Sequence, residues 1–203
     1  MSKTLGYVLG LPGVKIGSGS LRSLTYLLKD TFTGADGTLL TEHAPDIGAG
    51  AWVGGKYRII GNKAVQTADG SDWEVYDVGK LNYTLRVKVS LRNATSAQVR
   101  GVLVRKVDAS YFSVGLQYSA GTFVIQENGT DIRATTNVVI VPGTEYQIVV
   151  VVNGSTISAT FNDANLISYG AAAETATRTF VGIRSRYVQD TFDDFEVLDT
   201  VNP

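Results

Sequence analysis

From Leu81 to Val89 the chain reads Leu-Asn-Tyr-Thr-Leu-Arg-Val-Lys-Val, so apolar and polar side chains alternate for nine residues. In an extended chain this period places one set on each face, which makes a half-buried strand and excludes an amphipathic helix. Val99 to Val107 repeats the pattern around Gly101. Tyr111 to Tyr118, Thr122 to Gln126 and Asp131 to Thr135 follow, separated by Ser-Ala-Gly and Glu-Asn-Gly-Thr. Tyr146 to Val152 and Thr156 to Phe161 flank Asn153-Gly154-Ser155, and Thr179 to Arg184 and Thr191 to Leu198 close the series. Asn-Gly accepts the positive φ that a tight hairpin demands. Turn signals recur every 8–12 residues or so, roughly the spacing of a sandwich or barrel. No strand–helix alternation supports a parallel doubly wound sheet, and no short repeat supports a propeller or solenoid. Ala171-Ala172-Ala173-Glu174 is too short for more than a loop or a single turn. The expected body is therefore all-β, an antiparallel two-sheet sandwich. Its first and last strands are expected to pair, because that leaves fewer open edges.

The charge pattern divides the chain. Residues 1–29 carry Lys3, Lys15, Arg22 and Lys29 with no acid, a net charge of +4, and five glycines at 6, 10, 13, 17 and 19. The remainder has 14 basic and 19 acidic residues, net −5. The division expected is a basic N-terminal arm over 1–29, a sandwich over 30–199 and a tail over 200–203. Leu21, Leu24, Leu27 and Leu28 have helical spacing behind a Ser18 or Ser20 cap, and the rival reading is an extended lead-in to the first strand. Glycine-rich stretches such as Gly10-Leu11-Pro12-Gly13 lack the context of a phosphate loop and suit an extended docking segment.

Several function classes lose support. A chain of 203 residues buries a sizeable core, and with no cysteine it has neither a disulfide framework nor thiolate metal sites. Eighteen bases against 19 acids make a poor nucleic-acid binder, which needs a basic surface. The longest apolar run, Ile148 to Val152, is far below the ~20 residues of a membrane span. Lys3 is followed by no sustained apolar stretch, so Met1 is expected to be the true start, with no export signal. The Asn-x-Ser/Thr triplets at Asn82, Asn93, Asn128 and Asn153 are then read as chance.

Four segments, in order, resemble the concanavalin A-like jelly roll of laminin-G-type and lectin/glucanase-like domains. The first is Asp30-Thr31-Phe32 with Asp36-Gly37-Thr38-Leu39-Leu40, His43, Pro45, Asp46 and Trp52. The second is Gly101-Val102-Leu103-Val104-Arg105 with Asp108, Tyr111-Phe112 and Leu116. The third is Tyr146 to Gly154 with Thr156 to Phe161, Tyr146 standing where such domains often carry Trp. The fourth is Val181-Gly182-Ile183-Arg184 with Phe192-Asp193-Asp194-Phe195-Glu196-Val197. The opening phrase, Asp30 to Asp46, is similar to lectin-like domains of tailed-bacteriophage virion proteins. The resemblance implies a jelly-roll sandwich.

Candidate sites carry two readings each. Asp194 and Glu196 share a strand face, as a retaining glycosidase's carboxylate pair would. The three-carboxylate pattern of the fold's hydrolases, Glu-x-Asp-x-x-Glu, is absent, so a solvated face in the acidic stretch Asp190, Asp193, Asp194, Glu196, Asp199 is favoured and no catalytic residue is assigned. His43, the sole histidine, has no Gly-x-Ser-x-Gly beside it and reads as structural. No cofactor is expected. Calcium, which many jelly rolls of this type bind, has Asp30, Asp36, Asp46 and Asp194 as candidate acids but no ligand spacing. Trp52 and Trp73, near loop-like segments, are the candidate sugar-stacking residues, with core packing as the rival.

The function expected is a non-enzymatic phage virion structural protein: a capsid decoration, head fibre or tail-associated protein, made in the host cytoplasm and displaying a lectin-like sandwich. The alternative is a carbohydrate-binding lectin module for a cell-surface glycan. A glycoside hydrolase comes third. Lys3, Tyr7, Leu9, Leu11, Lys15, Leu21, Arg22 and Lys29 are the expected assembly contacts, to virion proteins and to further copies in a homo-oligomer.

Overall fold

A computed structural model describes residues 25–200 apart from 69, 71, 93–97 and 172–176. Its strands are β1 (Tyr26–Asp30), β2 (Tyr57–Ile59), β3 (Ala64–Gln66), β4 (Asp72–Asp77), β5 (Tyr83–Ser90), β6 (Arg100–Val107) and β7 (Ser110–Gln117), then β8 (Thr122–Glu127), β9 (Asp131–Asn137), β10 (Glu145–Asn153), β11 (Thr156–Phe161), β12 (Ala164–Gly170), β13 (Phe180–Ser185) and β14 (Thr191–Asp199). Helical structure among the described residues amounts to two single turns, Leu40–Glu42 and Tyr118–Ala120. The strands form two sheets, and every pairing is antiparallel.

The eight-stranded sheet runs β12-β11-β10-β5-β14-β3-β2, with β1 also on β14. The six-stranded sheet runs β4-β13-β6-β7-β8-β9. The alternation of β5 is realised residue by residue: Tyr83, Leu85, Val87 and Val89 are buried and Thr84, Arg86 and Lys88 are not. Ile148, Val150 and Val152 of β10 join them, and Val102, Val114, Phe123 and Ile125 of the other sheet complete the same cluster. At the β8–β9 hairpin Asn128 and Gly129 take φ of 51° and 76°, the left-handed pair a tight turn requires.

First and last strands do pair, with Leu28 opposite Val197 and Asp30 opposite Phe195. This decides between two open readings and corrects one boundary. Leu27 and Leu28 are strand, not helix: Leu28 is wholly buried against the last strand, so sheet pairing overrides the leucine spacing. The sandwich also begins at Tyr26, so Lys29 belongs to it and not to an arm. Leu21 and Leu24, the other arm residues named above, Asn93, the stretch 172–174 and residues 201–203 lie outside the described residues.

Strand β14 carries a bulge. Its register on β5 slips between Asp193 and Glu196, and Asp194 takes φ of 47°. Phe192 and Phe195 consequently both point inward, three residues apart, and two acids between them face out.

Candidate functional site

The opening phrase of the body folds into a lock around Asp30. Its Oδ1 accepts from the Phe32 amide at 2.7 Å and lies 2.9 Å from His43 Nε2, while its Oδ2 accepts from the Trp52 indole at 2.8 Å. Burial pushes this carboxyl above its ordinary value, against the pull of those hydrogen bonds. Asp46 accepts from both the hydroxyl (2.7 Å) and the amide (3.0 Å) of Thr31, which hold its pKa down. Asp36 accepts from the Gly61 amide at 2.8 Å. Each of these three acids accepts from a backbone amide of the loops around it, at Phe32, Gly61 and Thr31. Asp30, Asp36 and Asp46 thus work as hydrogen-bond acceptors, Asp194 lies apart on the bulge of β14, and among the described residues no three acids or histidines are grouped so as to hold a metal ion.

Trp52 cannot stack on a sugar. It is 2% exposed, and Phe32, Tyr76 and Phe195 surround it at centroid distances of 6.1, 5.7 and 5.3 Å. The candidate reading is corrected to core packing: the indole fills the sandwich and its N–H is satisfied by Asp30.

Asp194 and Glu196 line a groove of about 290 Å³ on the outer face of the eight-stranded sheet, with Lys29, Arg86, Lys88 and Gln147. Each acid has a lysine: Lys88 is 2.8 Å from Asp194 and Lys29 is 3.4 Å from Glu196. The Asp194 carboxylate in turn raises the pKa of Lys88. Both acids therefore sit beside lysines on the outer face of the sheet. Asp190 departs from the expected solvated face. It is fully buried with Arg100, whose Nη1 approaches at 3.3 Å, and accepts from the Arg92 amide at 2.9 Å and from the Ser185 hydroxyl. Burial raises its pKa and Arg100 opposes the rise.

Trp73 has a different setting. Along β4, Tyr76 enters the core, whereas Trp73 and Val75 face outward. There they meet Leu103 of β6, Tyr111 of β7 and Phe180 of β13 in an apolar cluster separate from the sandwich core. Trp73 and Tyr111 are 6.2 Å apart between centroids. A groove of about 310 Å³ runs over this cluster, walled by Val53, Val75, Val107 and Phe180, with Lys106 and Asp108 supplying polarity. Val53 and Val107 are 59% and 40% exposed, so the walls are open to solvent. Val53 is fixed by a reciprocal pair of backbone bonds to Val75, at 2.8 and 2.9 Å.

Beneath it Gly182 pairs with Val75 on one side and Leu103 on the other. A Cβ there would stand 2.1 Å from the Glu74 carbonyl oxygen, so only glycine allows the two strands to approach this closely. Sequence reasoning named Trp73 but missed Phe180, Lys106 and Val53. Adjacency across three strands has no local signature.

No family model and no curated protein matches the sequence. Solved structures do match in fold. A carbohydrate binding module, CBM66 from Bacillus subtilis, superposes with a TM-score of 0.59 at 11% identity, over 73% of this chain and 95% of that one. A protein of unknown function with galectin-like fold, also from Bacillus subtilis, gives 0.56 at 10% identity over 87% and 98%. A mutant of Trypanosoma rangeli sialidase displaying trans-sialidase activity gives 0.62 at 9% identity, over 86% of this chain but only 30% of the sialidase. At these identities the likeness shows the fold alone, a two-sheet β-sandwich that occurs here in a binding module and as part of a sialidase chain.

Proposed function

We propose that this chain is a non-catalytic carbohydrate-binding β-sandwich that seats a sugar ring in the groove beside Trp73. The observation that carries the reading is the outward apolar cluster of Trp73, Val75 and Phe180, built outside the core and open at its walls. Aromatic and aliphatic walls with a few polar groups are what a ring with one apolar face requires. The fold shared with a carbohydrate binding module and a galectin-like protein supports the reading. A binding role rather than hydrolysis is supported by the lysine partners of Asp194 and Glu196.

The test is a glycan array followed by calorimetry on the full chain. Trp73→Ala should weaken binding roughly tenfold or more, about 1.4 kcal/mol, with the fold intact. Binding that is unchanged by Trp73→Ala would place the site elsewhere.

We further infer display on a virion, with the residues before β1 as the anchor. The charge split supports this: Lys3, Lys15 and Arg22 with no acid before residue 25, against net −5 from residue 30 onward.

A further inference from the structure

We propose that the Trp73 groove selects sugars that bear a carboxylate, and that the Lys106 ammonium is the group that recognises it. This rests on the reading of the groove as a sugar site.

Lys106 follows a bulge in β6, where Arg105 takes φ of 52° and the register on β7 slips between Val104 and Val107. Lys106 lies opposite Phe180, and its ammonium is 4.6 Å from the Trp73 ring centroid and 6.0 Å from that of Tyr111. Its one hydrogen bond goes to the Asp108 carbonyl oxygen.

Four other lysines have anions. Lys29 pairs with Glu196, Lys63 with Glu145, Lys80 with Asp199 and Lys88 with Asp194, and all four are more exposed. Lys106 is 7% exposed, lines the groove, and has no carboxylate within ion-pair distance among the described residues. Burial depresses its pKa and the nearby Asp108 charge offsets the fall only in part, as expected for a cation that has lost water without gaining a paired counter-charge.

A carboxylate entering the groove supplies that charge and accepts a charge-assisted hydrogen bond from the N–H groups left over. The sugar ring carrying it meets the walls of Val53, Val107 and Phe180. A single cation matches a single carboxylate. The exposed Asp108 at the same groove disfavours a densely sulfated chain.

The experiment titrates the full chain with trigalacturonate, a glucuronate-containing trisaccharide and sialyllactose, each against its methyl ester. The ester keeps the ring and removes the charge. At low salt the expected result is at least tenfold tighter binding of one acid than of its ester. Lys106→Met should reduce that ratio, read within the variant itself, to about one. Equal affinity for acid and ester in all three pairs overturns the proposal without any variant. A preference that survives Lys106→Met overturns it as well. Equal, Trp73-dependent binding of acid and ester leaves the groove reading standing, whereas no binding of any glycan removes both.

Discussion

Asp30 serves three partners from one buried carboxyl. Its two oxygens hold the Phe32 amide, the His43 ring and the Trp52 indole, and every one of these groups is buried or nearly so. Asp30→Ala removes the acceptor and leaves the buried Trp52 and Phe32 N–H groups without a partner. Each unsatisfied donor costs about 1–3 kcal/mol, so a total loss of roughly 2–5 kcal/mol is expected from urea denaturation. A loss below about 0.5 kcal/mol, the range of ordinary surface changes, would show that the lock is not structural. The same residues explain what the opening phrase meant. Asp30, His43, Asp46 and Trp52 resembled a family signature because a sandwich of this kind needs its first loop fastened. They say nothing of a ligand. Of the groove residues, Trp73 was conspicuous only as an aromatic near a loop-like segment, and Lys106 sits unremarked between Arg105 and Asp108 of the second segment.

At the scale of elements, nine strands were visible as alternation or as apolar runs between turn residues. Those missed have physical reasons. β2 and β3 are three residues each, and β3 is buried throughout, so no period shows. β4 breaks the pattern with Glu74, a buried carboxylate that accepts from the Lys56 and Tyr57 amides at 3.1 and 3.3 Å. β12 holds Ser168 and Gly170 in an edge strand, where one face has no need to be apolar. Its hairpin to β11 turns on Asn162 and Asp163, both at positive φ, a signal as usable as Asn-Gly. The register of β4 on β13 depends on Gly182. Gly182→Ala would drive a methyl group into the Glu74 carbonyl, and backbone cannot move aside as a side-chain tip can. We expect a loss of roughly 1–3 kcal/mol, visible as a lower melting temperature, together with weaker sugar binding because the floor of the groove shifts. A variant as stable as the parent would show that the strands separate at little cost.

For the whole molecule, the two-sheet sandwich with paired first and last strands was legible, because alternation and turn spacing are properties of single strands. Where the body begins was not, since only the partner strand distinguishes Leu27 and Leu28 from a leucine-spaced helix. Two deletions separate arm from body. Removing residues 1–24 leaves β1 and should give a folded protein; the proposed virion display further requires that this protein fail to join virus particles, measured by co-sedimentation. Removing residues 1–29 takes β1 from β14 together with the buried Leu28, and should lower the melting temperature markedly. Normal incorporation of the shorter deletion would exclude the arm as anchor. The pairing of β1 with β14 has one more result: the Asp199 amide donates to the Thr25 carbonyl at 2.9 Å, so the two ends of the sandwich leave from a single point. A body with adjoining ends can be spliced into the surface loop of a host protein as readily as it can hang from a terminus, and its insertion need not pry the host's loop apart.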